Sequence, residues 1–243
     1  MSLFRIGRAL GSIDLKSVYR DPLLVWLSGF TLAFACIIRW GTPWATEALL
    51  RRYEFDLVEY YPLMLSFVAL TVPGMVGAII AFLLLDQRDD GTLVALSVTP
   101  MTFRKYLIYR TGVPIVASVV LTGIALTLSG LMTAGWHVAL LASVVASLFV
   151  PIYALFITCL AANKVQGFAV MKGAGVLALP AVVAWFVPMP WQVALGVVPH
   201  YWIAKVVWVM EAGDSPWPFV MTALVFQVVL LRLLLRRFVR TRL

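Results

Sequence analysis

Six apolar runs, each close to the length needed to cross a bilayer, constrain this chain more than any other feature. They cover approximately residues 22–40, 62–85, 106–132, 137–160, 168–187 and 219–235. A helix rises ~1.5 Å per residue, so about 20 apolar residues span the ~30 Å of hydrocarbon. Hydrocarbon offers no water to an unpaired N–H or C=O, so a span must be a helix or part of a closed barrel. These runs are continuous rather than alternating, which selects helices. Composition agrees: 12% of residues are charged, against about 25% in a soluble domain. The expected fold class is an all-α integral membrane protein, with residues 1–243 forming one transmembrane domain of six helices. Its parts are an interfacial helix (1–21), spans one to four (22–160), a cytoplasmic loop with span five (161–188), an outer hairpin (189–217), and span six with a basic tail (218–243).

Charge sets the expected orientation. With the N-terminus inside, 15 of the 19 Lys and Arg fall on the inner side and only Arg39, Arg51, Arg52 and Lys205 on the outer. Positive charge favours the cytoplasm, so both termini are expected there, in a multi-pass protein of a bacterial cell membrane. Eight of the nine tryptophans lie at outer ends, Trp26 being the exception. Indole rings prefer the headgroup region. The first 22 residues have scattered charges and no uninterrupted apolar core, unlike a signal peptide. On a helix, Leu3, Ile6, Leu10 and Ile13 share one side while Arg5, Arg8, Lys16 and Arg20 cluster on another. That pattern predicts an amphipathic helix lying in the interface.

Residues 191–210 are long and oily enough for a seventh span, but a seventh span would put the arginine-rich C-terminus outside. Pro199 and His200 also interrupt the run. Two short helices dipping into the outer leaflet are expected instead, and non-spanning backbone at that depth must be buried in protein or line a cavity.

Absences narrow the function. No G-x-x-x-x-G-K-[ST] motif is present, so the chain carries no phosphate-cradling loop of that type. No Asp or Glu lies in the six runs, whereas pumps driven by protons or sodium place ionisable groups at membrane depth. His137 and His200 sit at outer ends, and no nucleophile–base pair is readable. Cys36 and Cys159 lie inside apolar runs without metal-ligand or disulfide spacing, and both are expected to be buried and inert. The chain is therefore expected to be no enzyme and to hold no metal or cofactor. No nucleic-acid partner is expected. Uphill transport would draw its energy from another subunit.

One stretch is unlike an ordinary membrane turn: DQRDDGTLVALSVTP, residues 86–100. Asp89 or Asp90 can cap a short helix, Gly91 and Thr92 open a turn, and Leu93 and Leu96 share a face. Thr99 and Pro100 stop that helix and can start the next. The pattern predicts a short helix of about two turns on the inner surface.

This stretch resembles the signature between spans two and three of type-2 ABC exporter permeases. The resemblance extends over the amphipathic N-terminus, the six spans and the outer pair of short helices. Residues 161–192 and 199–208 are similar to permeases named as fluoroquinolone exporters. The pattern departs at Gln87 and Val94, where the family often has Glu. The resemblance implies that residues 89–100 form part of a surface coupled to a cytoplasmic ATPase, which holds ATP and Mg. It also implies a second permease subunit, identical or paralogous, and a hydrophobic or amphipathic small-molecule substrate. Spans two and five would line the pathway, with Met64, Phe67, Met75, Phe168 and Met171 as candidates. Pro199, His200, Trp202 and Lys205 would belong to an outer gate. The rival classes are a carrier or channel working without ATP, and a membrane anchor or assembly protein that transports nothing.

Overall fold

The computed structural model describes residues 11, 14, 16–90 and 103–242. Besides a helical stretch at 16–20, nine α-helices lie among them: α1 (Pro22–Tyr53), α2 (Tyr61–Asp89), α3 (Phe103–Ser129), α4 (Trp136–Ser147), α5 (Phe149–Leu160), α6 (Lys164–Ala174), α7 (Leu179–Phe186), α8 (Pro199–Glu211) and α9 (Trp217–Arg242). Short 3₁₀ turns cover Leu57–Tyr60, Gly175–Ala178 and Trp191–Val197. No strand occurs among the described residues.

Six stretches are long and apolar enough to cross a membrane, and they fall on the six runs read from the sequence. Three of the spans differ from simple rods. The first continues past Trp40, where the apolar run ends, as one 32-residue helix to Tyr53. At ~1.5 Å per residue this is about 48 Å, well beyond the hydrocarbon. Its extra turns hold good helix formers and a Glu47–Arg51 pair one turn apart. Glu54 ends the helix in the left-handed region at φ 51°.

The fourth span is two helices, α4 and α5, meeting at Leu148. Pro151 cannot donate to the carbonyl four residues back, so the ladder is interrupted there. The fifth span is also composite. α6 passes through the 3₁₀ turn Gly175–Ala178 into α7, with Pro180 near the start of α7. Where the α-helical ladder gives way to that turn, the carbonyl of Met171 accepts a hydrogen bond from the Tyr153 hydroxyl at 3.1 Å. By contrast α2 runs unbroken through Pro73.

Burial divides the spans. The second and fourth are each 67% buried over their most apolar window, while the other four lie between 17% and 28%. The bundle is therefore built around α2 and the α4–α5 pair. One apolar cluster joins Val68, Val72, Phe149 and Ile203. The other joins Leu24, Leu27, Phe82, Leu85 and Ile157. Both cysteines are free, but Cys36 is exposed and Cys159 half-buried. The expectation of two buried thiols is corrected here: α1 packs inward through Leu24, Leu27, Thr31 and Ala35, and Cys36 lies off that stripe.

Residues 191–211 form two short pieces, the turn Trp191–Val197 and α8, separated by an extended Val198. α8 has 13 residues, about 20 Å, too short to cross. It is not an exposed cap, because Tyr201, Ala204 and Val206 are fully buried and Ile203 nearly so. With six crossings, residues 20 and 240 lie at the same end of the bundle.

Candidate functional site at the two ends of the bundle

At the end holding residues 20 and 240, one cation ties three spans together. The Lys164 ammonium donates to Asp86 Oδ2 at 2.8 Å and also pairs with Asp21. Asp86 sits in the last turn of α2, Asp21 immediately precedes α1, and Lys164 is the first residue of α6. Each group is held locally. Asp21 caps α1, its Oδ1 accepting the Leu23 N–H at 2.9 Å. Asn163 caps α6 by accepting the Gln166 N–H at 3.0 Å, and the Gln166 side chain accepts the Ala162 N–H. Burial by itself would raise the Asp21 pKa. The Lys164 ammonium and the backbone N–H groups outweigh it and hold the carboxyl below its ordinary value.

Gly167 lets α6 approach α2 closely enough for this contact. A Cβ there would lie 2.6 Å from Leu85 Cδ1 and 3.2 Å from a Phe82 ring carbon. Alongside, Arg88 donates to the Ala161 carbonyl at 3.2 Å, joining the last turn of α2 to the end of α5. A second ion pair fastens the N-terminal segment: Arg110, buried near the start of the third span, donates to Asp14 at 2.7 Å. The Tyr109 hydroxyl donates to the same carboxylate at 3.2 Å.

At the opposite end the two pieces of 191–211 are stitched together by polar side chains. Trp202 Nε1 donates to the Gly196 carbonyl at 2.8 Å. Lys205 donates to Gln192 Oε1 at 2.9 Å, and Gln192 donates on to the Val187 carbonyl. The Lys205 ammonium also lies 5.5 Å from the Phe219 ring centroid, and burial lowers its pKa. Glu211 accepts both the N–H and the hydroxyl of Thr133, at 3.0 and 2.7 Å. His200 meets Phe149 edge-on at 4.8 Å between centroids, and burial pushes its pKa down to about 4. His200 Nδ1, the Tyr201 hydroxyl and Trp208 Nε1 are buried without a hydrogen-bond partner among the described residues.

The residues singled out from the sequence are distributed as follows. Pro199, His200, Trp202 and Lys205 come together on α8. Asp89 is the last residue of α2 and Asp90 its C-terminal cap, its N–H bonded to the Asp86 carbonyl. Gly91, Thr92, Leu93, Leu96, Thr99 and Pro100 lie outside the described residues, as do Arg5 and Arg8. Lys16 and Arg20 are exposed on a helical stretch at 16–20. Met64 and Phe67 are half-buried against one apolar cluster. Met75, Phe168 and Met171 are half-buried against the other.

The sequence reading missed Lys164, Asp21, Asp86, Asp14 and Arg110 as interacting groups, treating them only as charges marking the inner side. Their partners lie 78, 96 and 143 residues apart, so no local pattern announces them. Among the described residues no group of His, Cys, Asp and Glu is arranged to hold a metal ion.

Residues 14–235 match a family described as fluoroquinolones export permease protein Rv2686c-like. Two proteins of Mycobacterium tuberculosis are similar over nearly the whole chain. They are the fluoroquinolones export permease protein Rv2686c of strain ATCC 25618 / H37Rv and the fluoroquinolones export permease protein MT2760 of strain CDC 1551 / Oshkosh. Each is 38% identical over 234 residues, covering 95% of this chain and 92% of the relative.

Proposed function

The chain belongs to the Rv2686c-like fluoroquinolones export permease family, and on that premise we propose that it is the membrane-spanning subunit of an ATP-driven exporter. In this reading it moves an amphipathic drug of the fluoroquinolone class out of the cell. A separate cytoplasmic ATPase hydrolyses the ATP, and a second permease subunit, identical or paralogous, completes the membrane unit. The four lightly buried spans leave apolar flanks for lipid and for that second subunit.

The observation that carries this reading is the Asp21–Lys164–Asp86 junction. α2 leads directly into residues 91–100, the segment read from the sequence as the ATPase-facing helix. A displacement of that segment reaches α2 at Asp86, and one ammonium passes it to spans one and five. Closing and opening a bundle between two packings needs such rigid connections. At the far end, α8 is the element suited to move. Each buried polar atom without a partner costs about 1–3 kcal/mol, so water admitted on opening would offset part of the packing lost. Met64, Phe67, Met75, Phe168 and Met171 remain the proposed pathway residues, and Pro199, His200, Trp202 and Lys205 the proposed gate.

The test is uptake of norfloxacin into inverted membrane vesicles. Uptake is expected only when both the ATPase subunit and ATP are present. Uptake by the purified chain alone, driven by an ion gradient, would establish a carrier instead. Absence of uptake under every energised condition would establish an anchor or assembly role.

A further inference from the structure

A cavity of about 290 Å³ lies between α1 and α3, toward the end of the bundle read as outer, and shares no lining residue with either site above. Its body is apolar, formed by Ala35, Leu121, Ala125 and Leu128, with Trp40 and Arg39 at the outer rim. The volume sits at the small end of ligand pockets, about 300–1,000 Å³. From Thr31 to Trp40 the α1 wall rises nine residues, about 14 Å, so the cavity reaches well into the outer leaflet.

The polar groups lining it are mostly committed. The Thr31 hydroxyl donates to the Leu27 carbonyl at 3.1 Å. The Thr127 hydroxyl donates to the Gly123 and Ile124 carbonyls at 2.9 Å. Arg39 differs, because no carboxylate among the described residues pairs with it, unlike Arg51, Arg88 and Arg110. Its guanidinium lies directly against Gly130 at the end of α3. Gly130 has φ +69°, and any Cβ there would collide with Arg39 Nη1. The fold thus leaves room for this cation at the rim. The nearby helix C-terminus offers partial negative charge to one side of it, but a guanidinium presents five donors in a fork suited to a carboxylate or phosphate.

We propose that the α1–α3 cavity binds an amphipathic anion, its carboxylate or phosphate on Arg39 and its apolar body between Ala35 and Leu128. Two sources supply that chemistry, an aryl carboxylate and an anionic phospholipid. Binding needs neither ATP nor an ATPase, so the inference stands or falls separately from the export reading.

Cys36 lines the same cavity and is the reporter. In a Cys159→Ala background, alkylation of Cys36 by N-ethylmaleimide is timed in the purified full chain. Saturating nalidixate should slow it about fivefold or more through occupancy, and the uncharged methyl ester of nalidixate should not. In lipid nanodiscs, phosphatidylglycerol should protect relative to phosphatidylcholine if the occupant is a lipid. Protection in either arm supports the proposal and names the source. Arg39→Gln should weaken the protecting interaction about tenfold or more, read as the ratio of protected to unprotected rates within each variant because a nearby guanidinium itself favours the reactive thiolate. Arg39→Lys, which keeps the charge, should retain part of it. No protection by either anion overturns the site. So does equal protection by the ester or by phosphatidylcholine, or protection that survives Arg39→Gln.

Discussion

Lys164 stands between two carboxylates, and the consequences of removing it differ from those of removing either partner. Lys164→Gln leaves Asp21 and Asp86 facing each other without a cation. It should cost about 1–3 kcal/mol of stability, the usual scale for stranding partly buried charge. Combining it with Asp86→Asn should recover part of that loss, because a coupled pair is not additive. Thermal or denaturant unfolding of the four variants of that cycle is the measurement, and strict additivity would deny the junction. His200 offers a pH signature. Its imidazole is pushed down to about 4 by burial, whereas an unfolded or opened segment titrates near 6.5. The closed form then binds fewer protons than the open one between these values. Its stability is whole above about pH 6.5 and declines as pH falls toward 4, by up to about 3 kcal/mol. Hydrogen exchange of residues 199–211, corrected for intrinsic rates, should accelerate over that window in the wild type. In His200→Phe it should not.

At the scale of elements, α2 is the central span that runs from one end to the other as a single helix. It is one of the two best-buried spans, its last turn carries Asp86 and Arg88, and the chain beyond it is the proposed ATPase contact. Leu93→Asp would place a charge where an apolar contact is proposed. It should reduce co-purification of the ATPase at least tenfold, about 1.4 kcal/mol. An unchanged membrane yield of the variant would separate loss of that contact from loss of folding. Normal ATPase recovery with normal transport would remove residues 91–100 from the coupling role. α8 presents the opposite case. Proline at its first position and an extended Val198 before it make it a separate rigid piece. Its hydrogen bonds to Gly196, Gln192 and Thr133 are few enough to be broken and remade together.

For the whole molecule, six crossings would set both chain ends on one side, and the excess of Lys and Arg there is the ground for proposing that side as the cytoplasm. Single cysteines at Ser2 and Thr241 should therefore be labelled by impermeant reagents only from the cytoplasm, and one at Thr46 only from outside. External labelling at 241 would mean seven crossings, with residues 191–210 spanning. The length of α8 stands against that: about 20 Å of helix cannot cross about 30 Å of hydrocarbon.

The amino-acid sequence by itself determined the number and place of the spans, the interruption at Pro199, and the family. Each of these depends on local quantities: apolar length, the missing N–H of proline, or a contiguous motif. The continuation of α1 to Tyr53 was missed because those turns are polar outside the hydrocarbon and carry Pro43, so hydropathy fell silent while helix propensity did not. Only the tertiary structure decided which spans are central, which charges pair, and where space remains. Lys164 finds Asp21 and Asp86, and Arg110 finds Asp14, because α-helices packed side by side bring together residues far apart in the chain. Arg39 keeps an open rim over Gly130 for the same reason. Pairing and cavities arise from how helices meet, and the order of residues along one helix does not encode that.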